Sequence, residues 1–184
     1  SRAQHDDAWV IYNKPHLHDE IRRAWAVWVL VTQSFSAQMN GNWGFDKTEN
    51  TTTLKITNKR EQFSEVLAHR LQNVQIECAD ALYIIDRCDA KDSFIYCDPP
   101  YFNSCMGHYD GYTEKDFEEL LKKLSKFKGK FLLSSYHSEL LEKYKERFKW
   151  HQIDEESIVS VSSKKTGYRK RKIEVLTANY PLVI

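Results

Sequence analysis

A short apolar run that stops at an acid and two prolines constrains this chain more than any other feature. Ser93-Phe94-Ile95-Tyr96-Cys97, aromatic and β-branched at its centre, reads as a buried strand, and Asp98-Pro99-Pro100-Tyr101 follows it directly. Pro99 pushes Asp98 into an extended conformation. Two successive rings without N–H groups then hold a rigid turn whose carbonyls are not used by a helix. An acidic residue at the carboxyl end of a strand sits where open α/β sheets place ligands. The product is a preorganised acceptor pair, the Asp98 carboxylate and the Pro99 carbonyl, with the aromatic face of Tyr101 beside it.

Such a pair suits an exocyclic amine on a planar base. The lone pair of that amine is delocalised into the ring, so it is a poor nucleophile until acceptors hold its N–H groups and offset the charge developing on nitrogen. An already activated donor needs no strong base, and positioning carries the rate. Tyr101 would stack on a base taken out of its helix. The structural alternative is a strand-to-loop turn with a capping Asp.

The second half of the chain alternates strand and helix. Val74 to Cys78 reads as a strand, with Asp80 at a helix start and Leu82, Ile84 and Ile85 as apolar positions. Thr113 and Asp116 make a capping box for a helix whose face is Phe117, Leu120, Leu121, Leu124 and Phe127, stopped by Gly129. Phe131-Leu132-Leu133 reads as the next strand. A helix over 139–148 turns Leu140, Leu141, Tyr144 and Phe148 inward, and two terminal strands follow. That order predicts an α/β fold with a largely parallel sheet and antiparallel edge strands.

The first half reads as mainly helical. Ile21, Ala24, Trp25, Trp28, Thr32 and Phe35 recur at helical spacing and predict one packed face. Gly41-Asn42-Trp43-Gly44-Phe45 breaks the helix. Trp43 and Phe45 read either as DNA-reading or wedge residues or as packing against the Trp25 helix. Residues 46–58 read as a linker or mobile loop, which sets domains at 1–58 and 59–184.

Composition narrows the class. With 184 residues, 41% hydrophobic and 13% aromatic, the chain can bury a core and is no disordered tail. No stretch approaches a membrane span and no signal peptide is visible, so a cytoplasmic location is expected. Cys78, Cys88, Cys97 and Cys105 lack zinc-like spacing and read as reduced thiols. His16 and His18 read as a surface loop rather than a metal pair, and no metal is expected.

Net charge is only +1, yet Lys164-Lys165-Thr166-Gly167-Tyr168-Arg169-Lys170-Arg171-Lys172 concentrates cations around a tyrosine and a glycine. Strand-like runs on both sides, Ile158 to Val161 and Ile173 to Thr177, make this a hairpin tip. Lys164, Lys165, Arg169 and Arg171 would clamp phosphates and Tyr168 would support a base. The alternative is a solvated tip or a localisation-like charge run. His108, Tyr109 and Tyr112 follow the proline turn closely and read either as lining of the base pocket or as lid packing.

Taken in order, these segments resemble the Dam-like class of adenine-specific (N6) DNA methyltransferases, in the group whose target-recognition region precedes the catalytic tetrapeptide. Gln33-Ser34-Phe35 resembles that family's helical element, Val74 to Leu82 its strand-plus-acid motif, and Lys130 to Leu141 its Ser-Ser-Tyr strand and Ser-Glu-Leu helix. Arg171 to Leu176, with Asn179 beyond, resembles its last strand. The resemblance implies a Rossmann-like methyltransferase sheet with a mainly helical target-recognition region over 1–58 and the catalytic half over 59–184. It implies catalytic roles for Asp98, Pro99, Pro100 and Tyr101, contact of Asp80 and Ala81 with the adenine ring of S-adenosylmethionine, and DNA as partner. A prokaryotic or phage-encoded restriction-modification enzyme fits that description.

One family element is absent from these residues. The six glycines stand at 41, 44, 107, 111, 129 and 167, none as a glycine-rich loop after an N-terminal strand. The resemblance therefore implies a sheet incomplete at its N-terminal side, a chain that is inactive alone, and either self-association or a missing N-terminal part. An RNA adenine methyltransferase and a noncatalytic DNA-binding subunit are the alternative readings.

Overall fold

The computed structural model describes residues 1–45, 51–102, 111–158 and 171–183. The chain forms two compact units, Ser1–Ile76 and Glu77–Ile184.

The first unit is helical. Helix α1 (Arg2–Asn13) lies against α2 (Glu20–Gln33), and the two share a core of Ala8, Ile11, Ala26, Val29 and Leu30. Asp19 caps α2 by accepting from the Arg22 N–H at 2.8 Å. The buried stripe of α2 is Ala26, Val29, Leu30 and Gln33, not the expected face: Ile21 is 82% exposed and Phe35 70%. Apolar residues occupy two sides of this helix, and spacing cannot say which side meets a neighbour. Ala8 and Ala26, both fully buried in the shared core, mark the sides on which α1 and α2 meet.

Helix α3 (Thr51–Gln62) stands where a linker was expected, and α4 (Glu65–Leu71) follows. Threonines are weak helix formers. Here Thr57 Oγ1 donates to the Thr53 carbonyl at 3.1 Å, Lys59 and Arg60 complement the carboxyl end, and Phe63 beyond it meets Trp28 edge-on at 6.4 Å. The expected boundary at 58/59 therefore falls inside a helix. Residues 74–78 form no strand: Ile76 is 78% exposed and the Val74 N–H closes a turn onto Leu71 O. A strand needs a neighbour, and the described sheet offers this segment none.

The second unit is a sheet with helices. After α5 (Ala81–Arg87) come β1 (Phe94–Cys97), α6 (Glu114–Leu124), β2 (Lys130–Tyr136), α7 (Glu139–Phe148), β3 (His151–Ile158) and β4 (Arg171–Ala178). The strand order is β1-β2-β4-β3. Among the described strands only β1 and β2 pair in parallel; β2 with β4 and β3 with β4 are antiparallel. The sheet is thus mixed, and more antiparallel than expected, because the last two strands form a hairpin whose second strand inserts beside β2.

Period-two alternation sorts the faces. Phe131, Leu133 and Ser135 of β2 are buried with Cys97, Phe117, Leu121, Leu124, Leu141 and Val175, while Leu132, Ser134 and Tyr136 point the other way. Thr113 and Asp116 form the expected capping box on α6, with Thr113 N donating to Asp116 Oδ2 at 2.7 Å. That helix ends at Leu124, before Gly129. Gly129 is required for a different reason, since a Cβ there would lie 2.7 Å from Ala90 O and closer to Ser93 O. Asn179 ties the same corner, accepting from Phe131 N at 3.0 Å and donating to Gly129 O at 2.8 Å. Trp150 is buried edge-on against Phe131 at 4.9 Å, while Phe148, expected to turn inward, stays 37% exposed.

Candidate active site

Strand β1 ends at Cys97, and Asp98-Pro99-Pro100-Tyr101 leaves the sheet there without helix or strand. A cavity of about 740 Å³ opens at this end, within the size range of small-molecule sites. Asp98, Pro99 and Pro100 line one side of it, and Asp80 and Ala81, from the start of α5, line another. Leu82, Ile85, Ile95 and Leu120 form apolar walls. Three residues of the expected catalytic turn, Asp98, Pro99 and Pro100, therefore share one space with the expected cofactor pair, while Tyr101 is not among its lining residues.

Local structure holds each piece. Asp80 is the N-cap of α5, its Oδ1 accepting from Tyr83 N at 3.0 Å, which fixes the backbone of both Asp80 and Ala81 at the rim. Cys97 is buried beneath the turn, and burial pushes its thiol up to about 11, so it is neutral packing.

Tyr101 is half-buried. Its hydroxyl shares a hydrogen bond with Ser134 Oγ at 2.8 Å, and its ring meets Tyr136 edge-on at 4.4 Å. Burial raises its phenol above the ordinary range; the charges of Asp98, Glu174 and Tyr96 act in the same direction and the Ser134 bond opposes them. The hydroxyl stays protonated near neutral pH.

Three further cavity residues come from α6 and the segment before it. Tyr112 lines the cavity, and its phenol is pushed up to about 12, chiefly by burial and then by Asp116 and Cys97. Asp116 and Glu119 line the same space. The sequence signal for Asp116 pointed only to a cap, and Glu119 carried none. Their places follow from α6 burying Phe117, Leu120, Leu121 and Leu124 in the core beside the cavity.

Other expected residues fall elsewhere. Lys164, Lys165, Tyr168 and Arg169 lie outside the described residues, as do His108 and Tyr109. The backbone of Arg171 opens β4, paired with Ile158 of β3, so the strands flanking the basic segment are hairpin partners. In the first unit Trp43 stacks on Phe45 at 5.7 Å under the Arg2 guanidinium, 5.1 Å away, and bridges to Ser34. A larger groove of about 1060 Å³ runs along the first unit between Tyr12, Val27, Trp28 and Phe63. It holds none of the expected catalytic or cofactor residues.

No helix among the described residues is long and apolar enough to cross a membrane. No curated protein matches the chain. A family model described as D12 class N6 adenine-specific DNA methyltransferase matches residues 18–158, from α2 through β3 and across the whole cavity. Over that span, most of its length, the chain belongs to the D12 class of N6 adenine-specific DNA methyltransferases.

Proposed function

We propose that the cavity beside the proline turn is where this chain orients adenine for methylation. The observation that supports this most is that Asp80 and Ala81, on α5, and Asp98, Pro99 and Pro100, after β1, line one space. The Asp98 carboxylate and the Pro99 carbonyl accept the two N–H groups of the target amine and offset the charge that grows on its nitrogen. Pro100 holds the turn, and Tyr101 offers its ring to the flipped base. Both acceptors are set before substrate arrives, so little reorganisation is left for the reaction itself.

D12 class methyltransferases use S-adenosylmethionine as methyl donor, and when bound it supplies an already activated methyl group. The adenine end of that cofactor fits the residues present: the apolar walls Leu82, Ile85, Ile95 and Leu120 suit a planar ring, and the Asp80 carboxylate at the rim accepts from its amine. The first unit would serve as the target-recognition region. The basic segment through Lys164, Lys165, Arg169 and Arg171 would hold phosphates, with Tyr168 against a base.

Asp98→Ala tests the assignment, in an enzyme preparation that includes the family's glycine-rich segment. Single-turnover methylation of DNA adenine should fall by about a hundredfold or more, with DNA affinity little changed. Methylation by the variant at a near-normal rate would remove Asp98 from the mechanism.

A further inference from the structure

Tyr101 has two anchors beyond its own turn. Its hydroxyl lies 2.8 Å from Ser134 Oγ, and the edge contact with Tyr136 is 4.4 Å between centroids at 65°. Both partners stand on β2, two positions apart, so their side chains leave the same face of the sheet. That face is opposite the one where Phe131 and Leu133 enter the helix-covered core. Strand β2 is paired on both sides, with β1 and with β4, so its backbone cannot shift independently. Tyr101 itself lies outside any strand or helix. A phenol ring there has two soft torsions, and one bond at its far end plus a contact on its flank hold both.

We propose that Ser134 is a positioning residue for the target base: with Tyr136 beside it, it sets the plane of the Tyr101 ring, so that a flipped adenine meets a fixed stacking face. This rests on the role of Tyr101 proposed above. It commits the Tyr101 hydroxyl to the protein, so the base is met by the ring alone. The geometry explains why a tyrosine suits this position even though stacking by itself would be satisfied by a phenylalanine. A stack is worth most when the platform is already oriented.

The test uses the chain labelled with ¹³C in its tyrosine rings, the Tyr101 signals being those lost in Tyr101→Phe. Deoxyadenosine monophosphate is the probe, with affinity measured by calorimetry. In the wild type it should shift the Tyr101 signals by its ring current. Ser134→Ala should bind it roughly three- to tenfold more weakly, the size of one net hydrogen bond, and its Tyr101 phenol should titrate at still higher pH. Ser134→Thr keeps the hydroxyl and should restore both. Tyr101→Phe should weaken binding to the same extent as Ser134→Ala, and the double variant should be no worse than either single one. Wild-type affinity with an unchanged Tyr101 shift in Ser134→Ala would overturn the proposal while leaving Tyr101 as the base platform. If the nucleotide leaves the Tyr101 signals of the wild type unmoved, the platform role fails and this inference falls with it.

Discussion

Replacing Gly129 with alanine would put a methyl group where β2 enters the sheet beside β1. The new Cβ would stand 2.7 Å from the Ala90 carbonyl oxygen and closer still to that of Ser93. Neither oxygen is free to retreat: Ala90 O accepts from Ser93 N at 3.0 Å, and Ser93 O from Lys130 N at 2.9 Å. Gly129 O is itself held by Asn179 Nδ2 at 2.8 Å. Relief requires β2 to move away from β1 and to lose the Lys130–Ser93 bond. Overpacking a closed site costs about 1–3 kcal/mol, and one lost backbone hydrogen bond adds about 1 kcal/mol. Together these are a large fraction of an overall stability of about 5–15 kcal/mol. The comparison is Gly111→Ala, where a Cβ meets nothing within 4 Å and the cost is the positive φ of +103° alone, about 1–2 kcal/mol. Urea unfolding followed by tryptophan fluorescence measures both, since Trp150 is the tryptophan of this unit and packs on Phe131. A Gly129→Ala midpoint equal to wild type, or a larger loss at Gly111 than at Gly129, would refute the steric argument.

Other outcomes follow from the site. Neutralising Lys164, Lys165, Arg169 and Arg171 together should weaken binding to all duplexes alike and flatten its dependence on salt; an unchanged salt slope would make the segment a solvated tip. Cys97 should make stability fall at high pH. Burial raises its thiol from 9.0 to about 11, so both states are protonated below pH 9. Between about pH 9 and 11 the unfolded chain loses the proton first, and stability drops by up to about 2–3 kcal/mol. Denaturation midpoints of wild type and Cys97→Ala across that range check it, and an equally steep fall in the variant would exclude Cys97 as the cause. By calorimetry, the 184-residue chain alone should bind S-adenosylmethionine weakly or not at all, because the contact proposed for Asp80 would reach only the adenine end of the cofactor. Light scattering should find it self-associated, since edge strand β1 exposes Phe94 and Tyr96 at 57% and 56%. Tight cofactor binding by a monomer would contradict both expectations.

Local rules carried the sequence a long way at the site itself. Two prolines dictate the turn after Cys97, and a capping acid dictates where α5 begins, because backbone geometry and cap chemistry act over only a few residues. The capping box of α6 is legible for the same reason. What lay beyond the sequence depends on which surfaces meet. An apolar stripe on α2 stays exposed because α1 covers a different side. The Val74 to Cys78 run has strand-like residues and no strand beside it, and a threonine-rich segment becomes α3 with Phe63 packed on Trp28 at its end. The hydrogen bond between Tyr101 and Ser134 joins positions far apart in the chain, as does the cavity that gathers Asp80, Asp98 and Tyr112. Both exist only because β1 and β2 pair in parallel and α6 crosses the sheet above them. The turn itself was written in the sequence; its contacts with Ser134 and Tyr136 are set by long-range packing, which no local pattern encodes.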